Sequence, residues 1–497
     1  MPAVRRTAIR FSPSPWQLVA LDAFAGAAAV TLATLLRFLD EGSVPSTYAQ
    51  RLLPWLLIAA VVQMVSGEVM TRLRRPGSLL ASRPVAPFLV ATLAGVILVT
   101  LVNDGLLREP LWHLPHFVSL VWPVLACAAS AALRLAAARS IDVEELLTRP
   151  VVRLDVETCT AALAGKRVLI TGAAGSIGAE LSRQVLAVGP TDVLAIDTNE
   201  TGLYELQGNT PGVRTCIADV ADSRRMRELF VRERPQVIFH AAAYKHVPLV
   251  EANPDQGFAI NVLGTLAVCE AAVAAGAERV VVISTDKAVN PSSFMGLTKR
   301  AAELMVVALS QRSSGTVLSA VRFGNVLGSR GSVVPTLVRQ IEAGGPITIT
   351  HPDAHRYFMT VAEAASLVLL SAAYGGPSGL FVLDMGDEVR IEVLAERLVR
   401  LKGLRLGRDV SIRYIGLRPG EKLREELHAA DERLLSTDRP GVWRVASDYT
   451  FDGLSFLDGL RELDERRQTG VIEPSDYPRL LRELITRATG QTQPVPA

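Results

Sequence analysis

An acid and an amine lie side by side near the middle of this chain, at Asp286 and Lys287. The hydroxyl of Thr285 precedes them, and Lys299 follows in the next helical pattern. Such groups can donate and accept protons during a reaction if the fold brings them to a common cleft. A lysine in a loop is usually only solvated, so their chemistry depends on the elements that position them.

A glycine-rich turn earlier in the chain predicts a dinucleotide site. The apolar strand pattern at 167–170 leads into Gly172, Gly175 and Gly178. A side chain at Gly172 or Gly175 would keep a pyrophosphate away from the backbone N–H groups, and one at Gly178 would push the helix off the strand. The next strand pattern ends in Asp197, where a carboxylate can accept both ribose hydroxyls. No Arg or Lys directly follows Asp197, which favours NAD over NADP.

Apolar strand patterns alternate with helical patterns through the middle of the chain, which predicts an α/β fold with a doubly wound parallel sheet. Ligands of such sheets bind beyond the carboxyl ends of the strands, so the polar residues after each strand are the candidates for chemistry. We expect strands at 167–170, 193–196, 213–217, 236–240, 279–283 and 317–321, and helices near 178–188, 222–233, 261–275 and 296–311.

Several strand ends supply candidate cofactor-binding residues. Asp219 and the backbone N–H of Val220 can hold the adenine edge, although a turn acid is an equal alternative. Small residues at 241 and 242 let the backbone approach a cofactor, and Lys245 can face the nicotinamide ribose. The full set is Gly172, Gly175, Ser176, Ile177, Gly178, Asp197, Asp219, Val220, Ala241, Ala242, Lys245 and Lys299.

Composition excludes several other classes of protein. The net charge is only +2, which gives no reason to propose a nucleic-acid partner. The four cysteines are scattered without a C-x-x-C pair, so neither a zinc site nor a disulfide framework is predicted. We therefore expect no metal and a reducing compartment.

Four apolar runs at about 17–36, 52–70, 85–102 and 115–133 predict a transmembrane region over residues 1–140. Basic residues are concentrated before the first run, between the second and third, and after the fourth, which places both termini in the cytoplasm. We interpret Asp22 and Gln63 as polar positions tolerated within a bundle. A channel or transporter is the alternative, but the spans lack paired charges and inverted halves, so an inner-membrane anchor is favoured.

The chain resembles the extended short-chain dehydrogenase/reductase superfamily, and within it the membrane-anchored CapD-like or WbpM-like nucleotide-sugar 4,6-dehydratases. The resemblance covers roughly residues 141–430. Relatives with a longer chain carry an additional domain where this chain has only a linker over 141–165. The matching blocks are 171–178, 240–248, 284–291, 321–329, 351–360 and 418–422.

The resemblance implies a Rossmann domain over 166–430 with a smaller C-terminal substrate lobe, followed by a helical extension and tail over 431–497. It also implies an internal NAD redox cycle on a sugar. Lys287 would then be the base at C5, with a lowered pKa, and Asp286 the acid for the C6 hydroxyl. Most of the superfamily has a Tyr base where this chain has Met295, so the hydroxyl proton would leave through Thr285, or a water held by Asp286 or Lys299.

The implied substrate is UDP-N-acetylglucosamine, and the implied product enters polysaccharide synthesis. We also expect a homo-oligomer, contact with the bilayer and partners among membrane glycosyltransferases. A 4-epimerase is the nearest rival, but it needs no acid for C6 and no base for C5; a non-catalytic scaffold that binds NAD and UDP-sugar is the third possibility. The substrate-binding candidates are Lys245, Arg322, Asn325, Arg330, Arg356 and Arg418.

Overall fold

The computed structural model describes residues 8–11, 15–37, 56–64, 116–137, 139–147, 149–313, 315–374, 376–448 and 450–491. The chain divides into two compact units. One comprises residues 9–141 and the other is built mainly from residues 142–497.

The N-terminal unit is helical. Its helices are Pro15–Arg37, 56–64 and His116–Ala137, and strands β1 (Ala8–Phe11) and β2 (Arg139–Asp142) pair with each other. The first two helices approach closely at Gly26, where an added Cβ would lie 2.5 Å from the carbonyl oxygen of Ala59. The predicted run at 85–102 lies outside the described residues.

The described helices of this unit bury an apolar cluster, but they also bury some polar side chains and expose some large apolar ones. Asp22 is buried and accepts a hydrogen bond from the Ser130 hydroxyl. The large apolar side chains of Phe24 and Leu57 are 66% and 67% exposed. Within the described part of the chain, a single helical stretch, Pro254–Ala274, is long and apolar enough to cross a membrane, and 72% of it is buried. That stretch belongs to the second unit, so the four-span region stays a prediction.

The second unit is built on a nine-stranded sheet. The first six strands of this unit along the chain are β3 (Arg167–Thr171), β4 (Asp192–Asp197), β5 (Val213–Ile217), β6 (Val237–His240), β7 (Arg279–Ile283) and β8 (Val317–Arg322). The others in this unit are β9 (Asn325–Leu327), β10 (Ile347–Ile349), β11 (His355–Arg356), β12 (Phe358–Thr360), β13 (Gly379–Leu383), β14 (Val389–Arg390), β15 (Ile412–Tyr414), β16 (Glu432–Ser436) and β17 (Val442–Ser447).

The strand order across the large sheet is β16-β17-β13-β8-β7-β6-β3-β4-β5. The predicted parallel α/β sheet is confirmed for β3 to β8, and β13 extends it in parallel. Strands β16 and β17 pair antiparallel and complete the sheet beyond β13. The predicted helical extension over 431–497 therefore begins with two strands of the main sheet. Its helices, Gly453–Gln468 and Tyr477–Thr489, follow those strands.

Helices cover both faces of the sheet and bury two apolar cores. Residues from Ser223–Glu233, Gly264–Ala274 and Phe294–Ser310 fill one core, together with the two C-terminal helices. Residues from Ser176–Leu186 and Val361–Ala373 fill the other. The remaining helices of eight or more residues are Val156–Leu163, Glu200–Asn209, Val333–Glu342 and Ile391–Leu401.

A smaller lobe is built from segments after β8. Strand pairs β9–β12, β10–β15 and β11–β14 form three two-stranded sheets. Asn325 and Val326 of β9 line the cavity described below.

Candidate active site

A cavity of about 740 Å³ opens at the carboxyl ends of the parallel strands. It is bounded by the glycine-rich turn after β3, the segments after β6, β7 and β8, and the first turns of helix Phe294–Ser310. Ligands bind at this end of the strands in doubly wound sheets. The predicted site residues that line the cavity are Gly172, Gly175, Ser176, Ile177, Gly178, Ala241, Lys245, Thr285, Lys287, Met295, Lys299 and Asn325.

The glycine-rich turn is too tight for side chains at two of its positions. Gly172 has a φ of +66°, and an added Cβ would lie 2.5 Å from the backbone nitrogen of Ala242. An added Cβ on Gly178 would lie 2.2 Å from the carbonyl oxygen of Gly172. Helix Ser176–Leu186 starts at this turn, and the unpaired N–H groups of its first turn form an anion site. The turn therefore fits the pyrophosphate of a dinucleotide.

Other predicted cofactor residues lie outside the cavity lining, at the ends of neighbouring strands. The Asp197 carboxylate accepts hydrogen bonds from the backbone nitrogens of Ala174 and Asn199, both at 2.9 Å. The carboxylate of Asp219, after β5, is exposed and accepts from the Ala221 nitrogen at 2.9 Å. Val220 is buried. Their contacts with the cofactor, like that of Ala242, stay predictions.

Lys299 is a buried ammonium at the cavity wall. Its side chain comes from helix Phe294–Ser310, whose first turn is capped by the Ser293 hydroxyl accepting from the Gly296 nitrogen at 3.1 Å. Burial lowers the pKa of Lys299 to about 8, although the charge of Glu303 acts in the opposite direction. The amine can therefore exchange its proton near neutral pH.

Beneath this wall, His240 is fully buried between two hydroxyls. Its Nδ1 lies 2.7 Å from Thr171 Oγ1 and its Nε2 lies 3.0 Å from Thr265 Oγ1. Burial, and secondarily the charge of Lys299, lowers the pKa of His240 to about 3. The ring is neutral and fixes the β6 end of the cavity rather than carrying a charge into it.

Asn261 is a site residue that the sequence analysis missed. It lies in a π-helical turn, Phe258–Leu263, and such turns are frequent at functional sites. Its side chain accepts from the Tyr244 nitrogen at 2.7 Å and donates to the Tyr244 oxygen at 2.9 Å and to Thr298 Oγ1 at 3.0 Å. Asn261 thereby fixes the loop that carries Lys245. A polar residue in an otherwise apolar helical pattern was the available signal.

The predicted acid and amine are in contact. Lys287 Nζ donates to Asp286 Oδ1 at 2.9 Å, and Thr285 Oγ1 donates to the same oxygen at 2.8 Å. Asp286 is fully buried, whereas Lys287 reaches the cavity and lies 3.4 Å from Asn325 Oδ1. Glu425, which the sequence analysis also missed, lies 3.4 Å from Lys287 Nζ on the other side.

The predicted lowering of the Lys287 pKa is wrong for this arrangement. Burial on its own would lower the pKa, but the carboxylates of Asp286 and Glu425 outweigh it and raise the pKa above its usual value. Arg356 acts weakly in the opposite direction. Lys287 is therefore an ammonium between two carboxylates, and it has to lose a proton before it can act as a base.

Met295 lines the cavity where most of the superfamily has an acid-base tyrosine, and it is only 3% exposed. A thioether cannot transfer a proton. The Thr285 hydroxyl lines the same cavity and is already hydrogen bonded to Asp286. Thr285 can therefore pass a proton between the cavity and the buried carboxylate.

The prediction that Arg322 binds substrate is wrong. Its guanidinium is fully buried and pairs with Glu303 at 2.7 Å and Glu432 at 2.5 Å. Because these carboxylates take up its donors, Arg322 fixes β8 to helix Phe294–Ser310 and to β16 instead of facing the cavity.

The remaining predicted arginines lie outside the cavity lining. Arg330 is exposed and lies 3.5 Å from Glu205, while its backbone oxygen accepts from Lys245 Nζ at 2.9 Å. Arg356 is buried and pairs with Glu421 at 3.1 Å. Arg418 is exposed on the loop after β15. Their contact with a diphosphate stays a prediction.

Comparison with curated proteins gives relatives over somewhat more than half of the chain. The capsular polysaccharide biosynthesis protein CapD of Staphylococcus aureus is 46% identical over 296 residues, which are 58% of this chain and 49% of the relative. An uncharacterized membrane protein of Methanocaldococcus jannaschii is 43% identical over 58% of this chain and 87% of the relative. A UDP-glucose 4-epimerase of Rickettsia rickettsii is 36% identical over 57% of this chain and 83% of the relative.

Among solved structures, Pen from Bacillus thuringiensis superposes with a TM-score of 0.52 and 33% identity, over 58% of this chain and 90% of that one. The chain spans about half the length of CapD. A family model described as polysaccharide biosynthesis protein matches residues 168–447. With the glycine-rich turn and the acid-amine pair both inside that match, the chain belongs to the polysaccharide biosynthesis protein family, as a CapD-like member of the extended short-chain dehydrogenase/reductase superfamily.

Proposed function

We propose that the chain is an NAD-dependent 4,6-dehydratase of a UDP-linked N-acetylhexosamine, with UDP-N-acetylglucosamine as the substrate. The observation that carries this proposal is the 2.9 Å contact between the buried Asp286 carboxylate and Lys287 at the cavity wall. Elimination of water across C5 and C6 needs an acid and a base together, and this pair supplies both.

The cofactor site is assembled from the glycine-rich turn and Lys299. The turn fits a pyrophosphate, and Lys299 lines the same cavity. We assign the Lys299 ammonium to donate to ribose hydroxyls and to stabilise negative charge that develops on the sugar oxygen. When bound, NAD would supply a hydride acceptor for C4 and later a hydride donor for C6. The absence of a basic residue directly after Asp197 favours NAD over NADP.

The acid and the base need different protonation states, since Lys287 has to be a free amine and Asp286 a carboxylic acid. Lys287 reaches its amine form by releasing a proton to solvent through the cavity, and Asp286 receives the proton of the C4 hydroxyl through Thr285. The amine then takes the C5 proton, and the carboxylic acid gives its proton to the departing C6 hydroxyl, which leaves as water. The C5–H and C6–O bonds break, and a double bond forms between C5 and C6.

The hydroxyl at C4 must also lose a proton, and Met295 cannot accept it. We propose that Thr285 Oγ1 takes this proton while passing its own to Asp286 Oδ1, to which it is already hydrogen bonded at 2.8 Å. Lys299, with a pKa lowered to about 8, stabilises the alkoxide in the same cavity.

Substrate recognition is proposed for the smaller lobe. Asn325 lines the cavity beside Lys287, and Arg330, Arg356 and Arg418 are the candidates for the diphosphate. Arg356 already lies 3.8 Å from Glu425, so it links the diphosphate region to the acid-base residues. A bidentate arginine is well suited to a phosphate.

A UDP-sugar 4-epimerase is the second candidate, favoured by the 36% identity to the Rickettsia rickettsii UDP-glucose 4-epimerase. Epimerisation shares the first hydride step but does not need the acid-amine pair. The purified full chain, in detergent and with added NAD, is incubated with UDP-N-acetylglucosamine, and the products are analysed by NMR. A 4-keto-6-deoxy sugar supports the dehydratase, UDP-N-acetylgalactosamine supports the epimerase, and no turnover supports a non-catalytic scaffold.

We also propose that the N-terminal unit is an inner-membrane anchor. Its exposed helix surface is apolar at Phe24 and Leu57, while Asp22, Gln63 and Ser130 are buried. Helices packed in lipid show this distribution, because polar side chains have to find partners inside the bundle. Recovery of the full chain in the soluble fraction, without detergent, would contradict the anchor.

A further inference from the structure

Glu425 is a buried carboxylate that the proposed acid-base steps do not use. It lies between β15 and β16 and is only 4% exposed. Its Oε1 lies 3.4 Å from Lys287 Nζ and 3.8 Å from Arg356 Nε. Its Oε2 is buried without a hydrogen-bond partner among the described residues. Unpartnered buried oxygens are uncommon in folded proteins and call for an explanation.

Asp286, the other carboxylate that contacts Lys287, has the same feature. Its Oδ1 accepts from Thr285 and Lys287, whereas its Oδ2 is buried and has no partner among the described residues. One ammonium therefore lies between two carboxylates that come from distant parts of the chain. Arg356 is the second cation facing this group, and it also pairs with Glu421 at 3.1 Å.

Glu425 can influence the protonation of Lys287 without lining the cavity. Glu425 stabilises the ammonium form by its charge, but it is not itself part of the cavity lining, so it is in no position to act on a sugar directly. The groups that face Lys287 are Asp286 from its own turn, Asn325 from β9, and Glu425 and Arg356 from the smaller lobe. Among these, Glu425 is the anion that is not already assigned to the reaction.

We propose that Glu425 is a positioning residue that aims the Lys287 side chain into the cavity and sets the pH at which Lys287 becomes a free amine. The inference rests on the proposed function, since it concerns the base of the same reaction. Loss of the Glu425 charge removes one of two anions that favour the ammonium. The amine form then appears at lower pH, and the acid limb of the pH–rate profile moves with it.

The test compares Glu425→Gln with Glu421→Gln. Both changes remove a carboxylate charge beside Arg356, but only Glu425 contacts Lys287. We expect the acid limb of the kcat profile for C5 proton exchange and dehydration to move to lower pH by about one unit in Glu425→Gln. The acid limb of Glu421→Gln should coincide with that of the unaltered chain. The acid limb of Glu425→Asp should lie closer to that of the unaltered chain than the limb of Glu425→Gln does.

A second readout separates this inference from the proposed function. The full chain is labelled with [13C]lysine, and the Lys287 signal, assigned by its loss in Lys287→Arg, is titrated by NMR in each variant. A lower midpoint in Glu425→Gln than in Glu421→Gln supports the role of Glu425 even if the unaltered chain shows no turnover. Equal titration midpoints in Glu425→Gln and Glu421→Gln, or equal positions of their acid limbs, would overturn the inference.

Discussion

At the scale of single residues, the reaction depends on Lys287 reaching both Asp286 and the cavity. We expect Lys287→Ala to lower formation of the 4-keto product by about 10²- to 10⁴-fold, the usual contribution of a general base. Cofactor binding should be unchanged, because Lys299 and the glycine-rich turn are intact. Product analysis by NMR and the dissociation constant for NAD measure the two effects.

The matched control for this variant is Lys166→Ala. Lys166 forms a partly exposed ion pair with Glu278 at 2.8 Å and does not line the cavity. Lys166→Ala should leave product formation within about twofold of the unaltered chain, because Lys166 does not line the cavity and exposed ion pairs contribute little to stability. Full dehydration by Lys287→Ala would show that another group removes the C5 proton.

Arg322 and Arg330 differ in burial, so we expect their loss to affect stability differently. The Arg322 guanidinium is buried together with the carboxylates of Glu303 and Glu432. Removal of this cation leaves Arg300 to pair with both buried carboxylates. We expect Arg322→Met to lower the free energy of unfolding by about 3–5 kcal/mol. Arg330→Met, whose side chain is 68% exposed, should lower it by at most about 1 kcal/mol.

Urea unfolding of the detergent-solubilised chain, followed by circular dichroism, measures both arginine variants. Equal losses in the two would contradict the assignment of Arg322 to the interior. A weaker affinity for UDP in Arg330→Met, without loss of stability, would instead agree with the predicted diphosphate contact.

At the scale of elements, the turn between β3 and helix Ser176–Leu186 fixes the cofactor site. Gly178→Ala would place a Cβ 2.2 Å from the Gly172 oxygen, so strand and helix have to separate. We expect NAD affinity to fall by at least tenfold, measured by calorimetry. Gly208→Ala is the control, because Gly208 is also in a helix and an added Cβ meets nothing within 4 Å. Unchanged NAD affinity in Gly178→Ala would remove the turn from the site.

The same elements show what a sequence can predict. Strands β3, β4, β6 and β7 are buried on both faces, so they appear as short apolar runs and could be located to within about two residues. Most residues of strands β16 and β17 are exposed or only partly buried, and both strands contain charges, so no apolar run marked them. The glycine spacing likewise located the turn, because its steric requirement is local.

The residues that the sequence analysis missed or misassigned depend on contacts between distant segments. Arg322 was assigned to substrate because its partners, Glu303 and Glu432, meet it only in the folded sheet. Glu425 reaches Lys287 from the smaller lobe, and no spacing along the chain indicates that contact. The direction of the Lys287 pKa was wrong for the same reason, because a second carboxylate was not expected beside it.

At the scale of the whole molecule, the two units differ in the polar and apolar side chains that they bury and expose. The unit of residues 142–497 buries apolar cores on both faces of its sheet. The N-terminal unit buries an apolar cluster too, but it also buries Asp22 with Ser130 and leaves Phe24 exposed. Exposed apolar side chains are stabilised by lipid, and carboxylates at membrane depth face the interior of a helix bundle. This distribution supports the proposed membrane anchor.

The orientation of that anchor gives the last prediction. Basic residues flank the predicted spans at Arg5, Arg6, Arg72, Arg74 and Arg134, which predicts that both termini lie in the cytoplasm. In a bacterial host, alkaline phosphatase fused after residue 497 should be inactive, whereas a fluorescent protein fused there should fluoresce. Phosphatase fused after residue 44, between the first two runs, should be active. An active phosphatase at residue 497 would place the cavity outside the cytoplasm, away from NAD and UDP-sugars, and would contradict the proposed reaction as well as the anchor's orientation.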